Sequence, residues 1–279
     1  MQSYSIMETI NTPLTYAIIN GHDDAILLLI KEGADVTKRI EVKDERVNIW
    51  CHPIYWITPL FIYVKYGSNK DIINLFIQMG IDVNESNHVP ITYDDEIMII
   101  TVNESGDGLM NRTPFELAVS MGNIEIVKTI LELCSNTIDI HRRYDSKRFN
   151  RRDRMNIIHI AAIHGNITML DLLMRYIGNN DHISSDRTQL YDTMLHIALY
   201  EGHDDVVKWI LEHPGVDILA YGFNRRTPID VAITHRRCYA LDLILSYDSE
   251  QTAIAMSNDN YIKYANPEVA EVLRRYITN

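Results

Sequence analysis

Cysteine is scarce in this chain: Cys51, Cys134 and Cys238 lie far apart and leave one thiol over in any pairing scheme. No disulfide framework is expected to hold the fold, and a reducing compartment suits it. Glycine (12) and proline (8) are sparse in 279 residues, and no stretch joins low hydrophobicity to charge of one sign, which excludes long disordered tails. Basic charge is in the minority. With 26 Lys and Arg against 38 Asp and Glu the formal net charge is −12, which disfavours general affinity for nucleic acid or anionic membrane. The longest apolar runs, such as Ala25 to Ile30, fall far short of a bilayer span, and the opening MQSYSIMETINT has neither the basic start nor the apolar run of a secretory signal. A cytoplasmic location is expected, so the Asn-x-Ser/Thr matches at Asn103, Asn111 and Asn166 are read as chance. What the chain does have is a hydrophobic content of 46%, enough for a substantial core.

That content is periodic. Six copies of one pattern open at Thr12, Thr58, Thr113, Asn156, Thr193 and Thr227. Four of them read Thr-Pro plus an apolar residue (Leu14, Leu60, Phe115, Ile229), a capping hydroxyl ahead of a proline at the first helical position. Five residues on comes a small residue, Ala17, Ala118, Ala161, Ala198 or Ala232, with Tyr63 as the exception. Nine residues on comes Gly21, Gly67, Gly122, Gly165 or Gly202, with Arg236 as the exception, where a left-handed turn would end a short helix. A second helix follows with apolar pairs one turn apart, such as Ile126, Val127, Ile130 and Leu131. Such helical pairs are apolar on both sides, so only a row of them buries its surface.

These residues resemble ankyrin repeats. The hallmark Thr-Pro-Leu-His-x-Ala is shared out among the copies, with His159 and His196 at its histidine position, and the turn Gly-His-x-Asp recurs at Gly21 to Asp24 and Gly202 to Asp205. The resemblance implies an all-α solenoid in a single domain, 1–279, of six repeats near 12–36, 58–84, 113–140, 156–178, 193–218 and 227–247, closed by a degenerate capping repeat at 250–277. It also implies a protein-protein interaction module that binds and occludes or sequesters a partner protein. The irregular, Ile- and Asn-rich repeats look like those of stand-alone viral or intracellular bacterial ankyrin proteins, which implies a host factor as target, in host cytosol or nucleus. No F-box-like segment is recognised after the last repeat.

Successive anchors are 46, 55, 43, 37 and 34 residues apart, against about 33 for an ordinary unit. The excess falls between a second helix and the next anchor, giving finger insertions at 37–57, 84–112, 141–154 and 178–192 along one edge. The first holds an aromatic concentration, and Trp50, His52, Tyr55 and Trp56 are candidate contacts; equally, they could fold back over the neighbouring repeats. The second carries six carboxylates against Arg112, a net charge of −5; the third carries seven bases against Asp145 and Asp153, a net charge of +5. Either these fingers pair with each other, or Arg142, Arg143, Tyr144, Arg148, Arg151 and Arg152 bind a partner with an acidic surface.

Seven and eight residues past each anchor the first helix turns away from the stack. Tyr66, Met121, His164 and Tyr200 there complete the candidate partner-binding set, beside Ile19, Asn20, Lys65, Ser120, Ile163, Glu201, Thr234 and His235. No catalytic residue, cofactor or metal is expected: no two cysteines have zinc-finger spacing, Cys51-His52 stands alone, and no phosphate loop or hydrolase motif occurs. A monomer is expected. The alternative is a nucleic-acid binder using the Arg-rich finger 142–154, with Tyr144 and Phe149 to stack on bases.

Overall fold

The computed structural model describes residues 12–43, 54–86, 112–140, 142–148, 151–177, 186–257 and 260–277, with backbone alone at 40–43, 54–56, 144–148, 151–152, 260 and 264. At every anchor a short helix begins and a second follows. The pairs are α1 (Pro13–Ile19) and α2 (Asp23–Lys31), α3 (Pro59–Tyr66) and α4 (Lys70–Gln78), and α5 (Pro114–Ser120) and α6 (Ile124–Cys134). They continue with α7 (Ile157–Ile163) and α8 (Ile167–Ile177), α9 (Met194–Glu201) and α10 (Asp204–Leu211), and α11 (Pro228–Thr234) and α12 (Cys238–Tyr247). The chain divides into two compact units, Met1–Arg152 and Asp153–Asn279. In the first, α1 packs on α3, α3 on α5 and α4 on α6; in the second, α7 packs on α9, α9 on α11 and α10 on α12.

The helices start where they do because their first N–H groups have no partner within the helix and the anchor supplies one. Thr12, Thr58, Thr113, Asn156, Thr193 and Thr227 each accept from the backbone three residues on. Complete capping boxes form at Thr113–Glu116, Asn156–His159, Thr193–His196 and Thr227–Asp230. Ala17, Ala118, Ala161, Ala198 and Ala232 are all buried, letting neighbouring first helices approach closely, and the second helices bury most of the expected apolar stripe, with Ala25, Leu29, Ile77, Met174 and Leu211 half-buried.

The closing glycines need one correction. Gly21, Gly122, Gly165 and Gly202 are left-handed, with φ of 68°, 68°, 66° and 83°. Gly67 is not: its φ is −102° and its backbone is extended. Glycine is required there for space instead, because a Cβ would lie 2.4 Å from the ring of Tyr63. Tyr63 occupies the place of the repeat's alanine and is fully buried, so the two exceptions compensate each other. Arg236 keeps the left-handed turn, φ 56°, without the glycine that makes it cheap.

Two further expectations change. The chain is mostly helical rather than all-helical, since the insertions contain short strands whose backbone groups satisfy one another. β1 (Ile40–Lys43) pairs antiparallel with β2 (Ile54–Ile57), Ile40 opposite Ile57, and β3 (Tyr144–Arg148) pairs with β4 (Arg151–Met155). Beyond α12, the pair of helices expected over 250–277 becomes three: α13 (Ser249–Met256), α14 (Asn260–Tyr264) and α15 (Pro267–Ile277). α14 brings Tyr261 onto Thr227 and Asp230 by hydrogen bonds, covering the α11 cap, while α15 starts on Asn266, whose Oδ1 accepts from Val269 N–H at 2.9 Å.

Candidate functional site

The same caps that start the helices also tie repeats together. His196 is fully buried; its Nδ1 accepts the Thr193 N–H at 3.2 Å while its Nε2 donates to the Arg226 carbonyl at 3.0 Å, in the next repeat. His159 Nδ1 likewise accepts the Asn156 N–H at 3.2 Å. One position past the closing glycine, His203 Nε2 donates to the Ile163 carbonyl at 2.8 Å. Arg237, the equivalent residue one repeat later, donates to the carbonyls of Leu199 and Tyr200 at 3.2 and 3.3 Å. These histidines are thereby occupied as structural ties.

Against that frame the residues seven and eight past each anchor face outward. In the first unit Asn20, Lys65, Tyr66 and Met121 are exposed and Ile19 and Ser120 half-buried. In the second, His164, Glu201, Thr234 and His235 are exposed and Ile163 and Tyr200 half-buried. The Lys65 ammonium lies 5.3 Å from the Tyr66 ring centre, and Tyr200 meets His235 edge to face at 5.2 Å. Partial burial raises the Tyr66 phenol above its ordinary pKa. The His235 imidazole is lowered, by partial burial first and then by Arg237 and Arg226.

The finger residues fare unevenly. Trp50 and His52 lie outside the described residues, and Tyr55 and Trp56 fall on β2, opposite Val42 and Glu41. Tyr144 and Arg148 fall on β3 and Arg151 and Arg152 on β4, placed by backbone only. Arg143 is exposed. Arg142 is engaged within its own unit: its guanidinium donates to Glu116 Oε2 at 2.9 Å, and the same carboxylate accepts the Thr113 N–H at 2.9 Å. Burial pushes the Glu116 carboxyl up, while Arg142 and Arg112 pull it down. Arg112, the one base of the acidic finger, is only 2% exposed.

Most of the acidic finger lies outside the described residues, and so does its pairing with the basic one. At the finger bases, Arg39 Nε donates to Glu85 at 2.6 Å, and Asn84 bridges to Thr137 O and Asp139 N–H at 2.7 and 2.9 Å. Among the described residues no three His, Cys, Asp or Glu side chains assemble a metal site, and no helix is long and apolar enough to cross a membrane.

The second unit shows a surface that the sequence reading missed. Asp153 and Asp192 are fully buried, and their carboxylates accept the N–H groups of Leu190 and Phe223, each at 2.9 Å. Consecutive loops are thus pinned to one another. Their tips carry Tyr191, 68% exposed, and Tyr221, 60% exposed, with the Arg225 guanidinium 5.6 Å from the Tyr221 ring centre. Tyr191, Asn224 and Arg225 have φ of 70°, 57° and 59°. A run of Tyr-Gly-Phe-Asn-Arg-Arg before Thr227 was the available signal, but its left-handed backbone at non-glycine residues was not legible.

Comparison with known proteins matches this architecture. A model of ankyrin repeats in three copies matches residues 136–221 and 158–255, and a single ankyrin-repeat model matches 10–40. The I-Kappa-B like protein C2 of Microplitis demolitor bracovirus is 29% identical over 109 residues, 39% of this chain; the match spans 60% of that relative's length. Among solved structures, one chain of the complex of the predatory endopeptidase Bd0816 of Bdellovibrio bacteriovorus with the immunity protein Bd3460 superposes with a TM-score of 0.60 at 13% identity, over 86% of this chain and all of that one. The human ASB11 ankyrin repeat domain gives 0.59 at 18% identity, over 95% and 98% of the two chains. At those identities the likeness shows the fold alone. Repeat models and helical pairs coincide, and the chain belongs to the ankyrin-repeat family.

Proposed function

We propose that this protein is a non-enzymatic interaction module that binds a partner protein and occludes or sequesters it. The observation that carries this reading is the contrast between buried and exposed positions of one helix. Alanine and aliphatic residues recur in the buried frame, whereas the exposed pair past each anchor holds unlike side chains, including Tyr66, Met121 and His164. Mixed apolar, aromatic and polar groups displayed on stacked helices suit recognition of a protein surface.

The similarity to a viral I-Kappa-B like protein supports a host-directed role, in which the chain acts inside the cell of an infected host. We assign Arg143, Tyr144, Arg148, Arg151 and Arg152 to partner recognition as well, with Arg142 holding the base of that finger through Glu116. We assign Trp50, His52, Tyr55 and Trp56, from the first finger insertion, to partner recognition too.

Affinity capture from host lysate, comparing the wild type with a variant whose fingers 37–57 and 141–154 are cut to ordinary repeat length, tests the reading. The wild type is expected to retain a partner that the shortened variant loses. Equal capture by both would contradict the role of the fingers.

A further inference from the structure

The sixth repeat gathers cations on a chain that is acidic overall. Arg225 and Arg236 are exposed and Arg226 is half-buried, and among the described residues none of the three pairs with a carboxylate. Arg226 and Arg237 both act on His235, which meets the Tyr200 ring edge to face at 5.2 Å. Arg225 lies over Tyr221. The acids nearby are mostly spoken for. Asp192 is buried and accepts the Phe223 N–H, and Asp230 accepts both the N–H and the hydroxyl of Thr227, at 2.7 and 2.8 Å. Glu201, exposed, is the acid that acts against the arginines on His235. Holding arginine at left-handed backbone, φ 59° at Arg225 and 56° at Arg236, is strained relative to a relaxed backbone. It leaves both side chains in solvent rather than in an internal ion pair.

We propose that Tyr200, Tyr221, Arg225, Arg226 and His235 form a docking site for an acidic segment of a partner protein. Guanidinium groups take carboxylates in bidentate fashion, and the two tyrosine rings supply apolar faces for the side chains between those carboxylates. A polyphosphate backbone is a poorer occupant: it is charged at every residue and meets the repulsion of a chain whose net charge is −12 all along its length, whereas a short acidic segment needs its carboxylates only where the few cations lie. The site rests on the protein-binding reading above and uses none of the residues of the Arg-rich third finger.

The test uses the full chain and fluorescence anisotropy, with a fluorescein-labelled oligoglutamate peptide as probe and a labelled oligothymidylate of matched charge beside it. The comparison variant joins Arg225→Asn, which tolerates the left-handed backbone, to Arg226→Gln; a control joins Lys31→Gln to Lys128→Gln. Oligoglutamate is expected to bind the wild type and the control alike and the Arg variant about tenfold more weakly or worse, as loss of charged hydrogen bonds implies, with unchanged melting. Should the double variant melt lower, Arg226→Gln alone supplies the comparison. Failure of the wild type to bind oligoglutamate, equal binding by the Arg variants, or tighter binding of the oligothymidylate would overturn the site. An Arg variant that still captures the lysate partner as the wild type does sinks this site and leaves the protein-binding reading standing; a wild type that captures nothing removes that reading itself.

Discussion

At the scale of single residues, the departures from the repeat are the most informative. Gly67 and Gly21 occupy equivalent positions for different reasons. A Cβ at Gly21 meets nothing within 4 Å and suffers only from φ 68°, whereas one at Gly67 strikes a buried ring. Gly67→Ala is therefore expected to destabilise by about 1–3 kcal/mol through overpacking, and urea melts of Gly67→Ala with and without Tyr63→Ala will show whether removing the ring relieves it. Arg236→Gly should act oppositely, gaining about 0.5–1 kcal/mol because glycine adopts the left-handed turn without strain. Thermal unfolding reads that gain.

Tyr63 also sets a pH dependence. Its hydroxyl donates to Asp23 at 3.2 Å and accepts the Asn69 N–H at 3.1 Å, and burial raises its phenol to about 12. An unfolded tyrosine ionises at about 10, so the folded pKa lies above the unfolded one. The stability this group contributes is fully present below the unfolded value and is lost as pH rises toward the folded one. The stability gap between wild type and Tyr63→Phe should accordingly narrow between those two values; a gap that stays constant there would place the phenol in water.

At the scale of the element, capping governs where helices begin and how repeats join. The anchor residues and alanines were legible because a helix start and a close helix contact admit few side chains. The histidine at the third helical position was legible only as a resemblance, and the structure supplies its reason. In His196 one ring nitrogen completes the cap and the other reaches Arg226 O. His196→Phe, somewhat larger than the histidine, orphans the buried Thr193 N–H and leaves the Arg226 carbonyl only its bond from the Gly222 N–H, and should cost about 1–3 kcal/mol. A loss below 0.5 kcal/mol, well under the cost of one unsatisfied buried group, would show the tie to be unimportant. Trp209, whose Nε1 donates to Asp171 at 2.8 Å, and Arg237 reaching back to Leu199 were not legible, since both bonds join residues nearly forty apart in sequence.

At the scale of the whole molecule, the repeat was legible because its signal recurs six times, and each copy corrects for irregularities in the others. The insertions were legible as excess length, but not what they do with it. Charge counting set Arg142 in a recognition surface, whereas its side chain is drawn into the α5 cap by a buried carboxylate. The same counting passed over Arg225 and Arg226, because two arginines in a short loop do not change a local net charge much. Which of two apolar-rich helix faces meets water was legible from helical geometry alone, and that face is where recognition is assigned.

The proposed function therefore depends on the outward first-helix positions binding a protein. The most direct measurement is quantitative capture of the lysate partner by wild type and by a variant carrying Tyr66→Ala, Met121→Ala, His164→Ala and Tyr200→Ala together. These side chains lie outside the buried core, so the variant should melt near the wild type while its capture falls by more than about tenfold, as loss of several interface anchors implies. Undiminished capture by a variant that is fully folded would contradict it.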